Sequence, residues 1–307
     1  MKELKALIKR NSKLFFKDKG LFFTSLITPM ILLVLYATFL ANIYRDSFLQ
    51  GLGPASSLVS DKLIDGLVGG QLFASLLAVS CITVSFCSNM LMVQDKANGT
   101  LSDLLITPVK RSTLAISYYV STTISTLLIC YSACLVSFIY LAIVGWFMSV
   151  LDVILVLIDV FILVSFGTAL SSVINFFLSS QGQISAVGSI VSSVYGFICG
   201  AYMPISSFGK GLQTALSFLP GTYGTGLIKN HALNGAINEL SDLGVPNDAI
   251  KGLKDAIDCN LYFFDNGVKP WVMLLIMIVS IAILLVVYVL LNKYCLKGAK
   301  KQNKVAK

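Results

Sequence analysis

Six apolar stretches govern what this chain can fold into. They run at 21–43, 67–93, 114–144, 153–178, 184–203 and 271–294. A helix needs roughly 20 apolar residues to cross the hydrocarbon of a bilayer. There the backbone must satisfy its own hydrogen bonds, which leaves helices or a closed barrel. These runs are too long and too uniformly apolar for barrel strands. Only 12% of the 307 residues are charged, about half the share found in soluble domains. The expectation is an all-α integral membrane protein with six transmembrane helices spanning 21–294. The run at 114–144 exceeds one crossing, so it tilts or projects from the bilayer.

The net charge of +8 is distributed by topology. Segments 1–20, 94–113 and 292–307 hold 16 of the 23 Lys and Arg, and the intervening loops hold the other seven. The acids reverse this: Glu3, Asp18, Asp95 and Asp103 lie with the basic segments and ten lie opposite. The positive-inside rule then places both termini in the cytoplasm of a multi-pass cell-membrane protein. With the bias explained by topology, the basic balance is no evidence for a nucleic-acid partner. The use of twenty Lys against three Arg points to an AT-rich bacterial genome.

Residues 1–20 read as a cytoplasmic amphipathic helix in the headgroup layer, with Leu4, Leu7, Ile8, Leu14 and Phe15 near one face. They are not a removable signal peptide. Residues 295–307 read as a basic cytoplasmic tail. Seven cysteines without a CxxC pair indicate neither a disulfide framework nor a zinc site. The lone His231 has no ligand constellation around it, so no metal is expected and no catalytic residue is assigned.

The break at 94–113 carries a short helix. Thr100 and Asp103 form a capping pair, and Gly99 allows the turn before it. Leu101, Leu104 and Leu105 share one face, and Pro108 disfavours helical geometry at Thr107. Two turns, about 12 Å long, are not stable alone in water. The leucines must pack either on the chain's own spans or in a partner's groove.

Three further features invite a role. Gly188, Ser192, Gly196 and Gly200 recur every four residues in the fifth run and suit close helix packing or a pathway face. Asp159 is an acid within the fourth run, suited to a structural hydrogen bond or a functional site. The outer segment 204–270 reads as a helical or re-entrant stretch between Pro204 and Pro220. Beyond it come two short helices broken at Gly244–Pro246.

The stretch "DKANGTLSDLLITPVKRSTL" resembles the first cytoplasmic loop of ABC-2-type transporter permeases, through Asp95, Gly99, Thr100, Leu101, Leu104, Leu105, Thr107, Pro108, Lys110 and Arg111. Pro204, then Leu219-Pro220, then Thr222-Tyr223 resemble that family's outer motif. The resemblance implies a dimer, with itself or a homologous permease, in which 94–113 is a coupling loop docked on cytoplasmic ABC ATPase subunits. ATP and Mg would then be held by those partners. No G-x-x-x-x-G-K-[ST] loop occurs in the chain. It further implies that spans two and five line the path, and that Leu101, Leu104 and Leu105 are the docking knobs. The cargo expected is a drug, antibiotic or peptide-like amphiphile, with a polysaccharide or lipid-linked envelope polymer as the alternative. An ion-coupled secondary transporter ranks below both, because Asp159 is the single acid within the runs and no repeat is visible.

Overall fold

The computed structural model describes residues 2–35, 38, 40–264 and 266–295. Helix α1 (Lys2–Lys17) is followed by α2 (Lys19–Leu35), α3 (Ala41–Leu52), α4 (Asp61–Ser88), α5 (Met90–Ala97) and α6 (Thr100–Ile106). Then come α7 (Arg111–Val144), α8 (Val150–Phe176), α9 (Gln181–Ile198), α10 (Lys210–Ser217), α11 (Pro220–Asp242) and α12 (Asn247–Ala256). A small antiparallel hairpin, β1 (Leu261–Phe263) with β2 (Asn266–Val268), pairs Leu261 with Val268 and leads into α13 (Pro270–Tyr294).

Among the described residues, four helical stretches are long and apolar enough to cross a membrane: Asp61–Ala97, Arg111–Val144, Val150–Phe176 and Pro270–Tyr294. The fifth expected run appears as α9, which has 18 residues and spans about 27 Å. The first appears as α2 and the start of α3, with positions 36, 37 and 39 outside the described residues. Of the tail 295–307, only Cys295 is described.

Helix α4 is the centre of the bundle. It packs on α2, α3, α7, α8, α9 and α11, and 83% of its apolar window is buried, against 11% for α13. The second span therefore exposes almost nothing in a single chain. Helix α9 instead leaves Ser185, Ser189, Ser193 and Val194 exposed.

Two interiors divide the bundle. A large core joins α4, α8, α11 and α13. A smaller cluster joins Leu7, Leu91, Met92, Leu101, Leu114, Tyr118 and Tyr288, from α1, α5, α6, α7 and α13. The second cluster gathers the basic segments 1–20 and 94–113 with the C-terminal part of α13 at one end of the bundle, here called the basic end.

Segment 204–270 holds a longer helix than the two short ones expected: α11 runs 23 residues and packs on α4, α8 and α13, with fourteen of its residues buried. The small residues that permit this lie in α11. A Cβ at Gly224 would meet Leu163 and Met277, and one at Gly235 would run into the Phe147 carbonyl. The break expected at Gly244–Pro246 is present, with Gly244 at φ 78 between α11 and α12.

Candidate functional site

The basic end holds an ion-pair clamp. Helix α1 turns Leu7, Asn11 and Phe15 inward, while Leu14 stays partly exposed. Arg10 follows that face and reaches Asp95 on α5, with Nη1 donating to Oδ2 at 2.8 Å and Nη2 to Oδ1 at 3.1 Å. This is the bidentate fork that guanidinium, and not ammonium, can make. Tyr118 on α7 donates to the same Oδ2 at 2.5 Å. Asp95 is buried, so each donor offsets a desolvation cost. The carboxylate raises the Arg10 pKa through its hydrogen bond, against the opposing effect of burial. One carboxylate thus ties α1, α5 and α7 together.

Two neighbours extend the clamp to α8. Lys96 Nζ donates to the carbonyls of Asn175, Phe176 and Leu178 at 3.2, 2.6 and 3.3 Å. These carbonyls lie at and just beyond the C-terminus of α8, where a cation is favoured. Asn89 occupies the break between α4 and α5. Its amide donates to Ser171 and Ser172 at 2.9 and 3.0 Å, and Asn175 donates to its carbonyl at 3.2 Å. Both ends of α5 are therefore held by side chains on other helices.

Helix α6 sits on this assembly, and its geometry corrects the sequence reading twice. Its N-cap is Gly99 at φ 79, with no side-chain cap bond, so Thr100 is the first helical residue and does not cap with Asp103. Gly99 takes the position because its left-handed backbone is costly for other residues. The leucine face turns inward. Leu101 is buried in the small cluster, and Leu104 and Leu105 pack partly against it. The chain's own bundle supplies their groove, leaving Leu101 unavailable as a knob. Ser102, Asp103, Ile106 and Thr107 face outward, with Ile106 84% exposed. The helix stops as expected, with Thr107 extended ahead of Pro108 and its hydroxyl on the Leu104 carbonyl at 2.6 Å.

The other expected residues have mostly structural partners. A Cβ at Gly196 would strike the Tyr202 ring, and Gly200 is a left-handed cap (φ 75) beside Asp258. The chain's own residues thus fill these positions instead of a second helix. Gly188 is buried with nothing near its missing Cβ, and Ser192 is partly buried. Thr222 and Tyr223 donate to the carbonyls of Leu216 and Ser217 at 3.1 and 2.6 Å, closing the corner between α10 and α11. Pro220 is set in the first turn of α11, where its missing N–H costs nothing. Pro204 opens a single 3-10 turn.

Asp159 has a partner that sequence reasoning missed. His231 Nδ1 lies 2.5 Å from its Oδ2, and three residues on Asn234 donates to Asp152 at 2.9 Å. Helix α11 thereby pairs both acids of α8. Burial opposes the charged imidazole, but the Asp159 hydrogen bond and the charges of Asp159 and Asp152 outweigh it, so the His231 pKa is raised.

A second buried pair locks the far end. Lys229 is fully buried, and its Nζ donates to the carbonyls of Gly200 and Ile257 at 2.7 and 2.9 Å, with Asp258 at 3.5 Å. Asp258, at φ 58, accepts from the Ile205 amide at 2.8 Å. Burial raises its pKa against the opposing pull of Lys229. Among the described residues, no three His, Cys, Asp or Glu side chains converge as metal ligands.

The described residues form a helical bundle of membrane-protein character, with an amphipathic helix clamped at one end and a short helix beside the clamp. The family model described as ABC-2 type transporter matches residues 2–230, and the chain belongs to that family as an ABC-2-type permease. No curated protein matches it.

Proposed function

We propose that this permease works with separate ATP-hydrolysing subunits and exports an amphiphilic drug, antibiotic or peptide. The basic end faces the cytoplasm, as the charge bias requires, and the six apolar runs make six crossings. Two copies, or one copy and a homologous permease, enclose the path. ATP and Mg belong to the partner chains.

The single observation carrying this reading is the outward face of α6. An isoleucine that is 84% exposed on a seven-residue helix stands where the basic segments meet. The helix is held from behind by its leucines, so a partner pressing on Ile106 would move α5 and, through Asp95, both α1 and α7. This is positioning by a rigid, preassembled contact, with no hydrolytic chemistry in the chain itself. A groove on the ATPase receives Ile106, and Asp103 beside it offers a charge for pairing. The test is co-purification of the ATPase with I106D from membranes. Loss of the ATPase with normal permease yield supports the docking role, and undiminished co-purification overturns it.

A further inference from the structure

The far end carries an apolar surface that the transport reading does not use. Helix α10 turns Leu216 inward and leaves Leu212 exposed, and Phe218 and Leu219, which follow it, are exposed too. Phe218 meets Phe263 and Phe264 of the hairpin edge-on, with ring centroids 5.2 and 6.0 Å apart. Phe263 and Phe264 also stack edge-to-face on each other at 4.9 Å. Phe264 is 60% exposed and holds φ 46 at the hairpin turn. That backbone region disfavours a bulky side chain and ordinarily selects Gly or Asn.

Tyr262 donates to Asp255 at 2.9 Å, and Tyr262 and Phe264 line a cavity of about 390 Å³ with Lys210 and Gln213. Phe218 and Phe263 stand outside that lining, so the ring cluster borders a polar cleft through Phe264 alone.

We propose that the Phe218–Phe263–Phe264 cluster is a lipid anchor, seated at the boundary between the headgroups and acyl chains of the outer leaflet. Its occupant follows from continuity. The hairpin enters α13 within two residues, and α13 is the most apolar and least buried of the four candidate spans. Trp271, 64% exposed, opens that helix, and Lys269 lies immediately before it. A ring cluster, a tryptophan and a lysine at the end of a lipid-facing helix match the composition of the membrane interface. Contiguous exposed apolar surface of this kind marks a membrane or protein contact, and here it extends α13's lipid surface. The anchor fixes α10 and the hairpin at the outer surface while the bundle beside them changes shape.

The anchor requires α13 to cross the bilayer but not the chain to pair with an ATPase. The experiment uses the full chain in phosphatidylcholine vesicles, with W146F and W271F removing the native indoles and F264W as the reporter. A second protein carries V279W, about 14 Å further along α13. Lipids brominated near the headgroup should quench most of the F264W emission, while aqueous acrylamide should quench little. Deeply brominated lipids should quench V279W. Free acrylamide quenching of F264W, with V279W still quenched by lipid, overturns the anchor. Protection of F264W from both quenchers also overturns it, because protein would then cover the rings. If V279W escapes lipid quenching as well, the spanning reading of α13 fails first.

Discussion

Replacing Arg10 by alanine removes the cation from a buried carboxylate and leaves Tyr118 as its one remaining side-chain donor. Removing one partner of a buried ion pair costs about 3–5 kcal/mol. The Arg10 side chain is 28% exposed and that of Asp95 8%, so solvent screening trims this to about 2–3 kcal/mol for R10A. At roughly 2.1 cal/mol/K per residue, that lowers the thermal midpoint by about 3–5 °C. D95N is milder, about 1–2 kcal/mol, because Arg10 can turn to water and Tyr118 keeps an acceptor. The double variant R10A/D95N leaves no buried charge, so it should fall short of the summed single losses by about 1–2 kcal/mol. Thermal unfolding of the purified permease in detergent measures all three proteins. Additive losses within about 0.5 kcal/mol would refute the clamp, since independent residues behave that way.

Three further outcomes follow from the far end and the helix contacts. K229M should destabilise by about 3–5 kcal/mol, since Asp258 stays buried without its cation, and K229M/D258N should recover part of the loss in the same melt. The raised His231 pKa makes its pairing with Asp159 fully stabilising below the ordinary value of about 6.5 and lost as pH rises through the higher folded value. The thermal midpoint should therefore fall between pH 6 and pH 9 more steeply in the wild type than in H231Q; equal slopes would remove His231 from the account. G235A should abolish folded yield on size-exclusion chromatography because its Cβ meets backbone, whereas G188A should leave yield unchanged.

The sequence resolved what is local. Runs of apolar residues announce spans, and Thr107-Pro108 announces a helix end, because both depend on neighbouring residues alone. Periodicity at Leu101, Leu104 and Leu105 shows which residues share a face of α6. It cannot show which way the face turns, and tertiary packing turned it inward. The packing of α11 is not legible in its sequence, because Lys229, His231 and Asn234 look like water-facing residues. They bind Gly200, Asp159 and Asp152, partners 29 to 82 residues away. Arg10 was missed for the same reason, its partner lying 85 residues on. One signal was available in a chain with twenty lysines and three arginines: two of the three arginines bind carboxylates, while Arg111 leaves its Nη1 without a hydrogen-bond partner. Arg10 pairs with Asp95 and Arg45 with Asp61 and Asp65.

The central claim is that α6 delivers a partner's motion through its outward face. A photoactivatable phenylalanine analogue at position 106, cross-linked in intact membranes, tests it most directly. Mass spectrometry should identify the captured protein as an ATPase with a phosphate-binding loop, while the same analogue at the partly buried Leu105 should capture it far less. Equal capture from both positions, or capture of lipid alone at 106, would contradict the assignment of α6 as the docking helix.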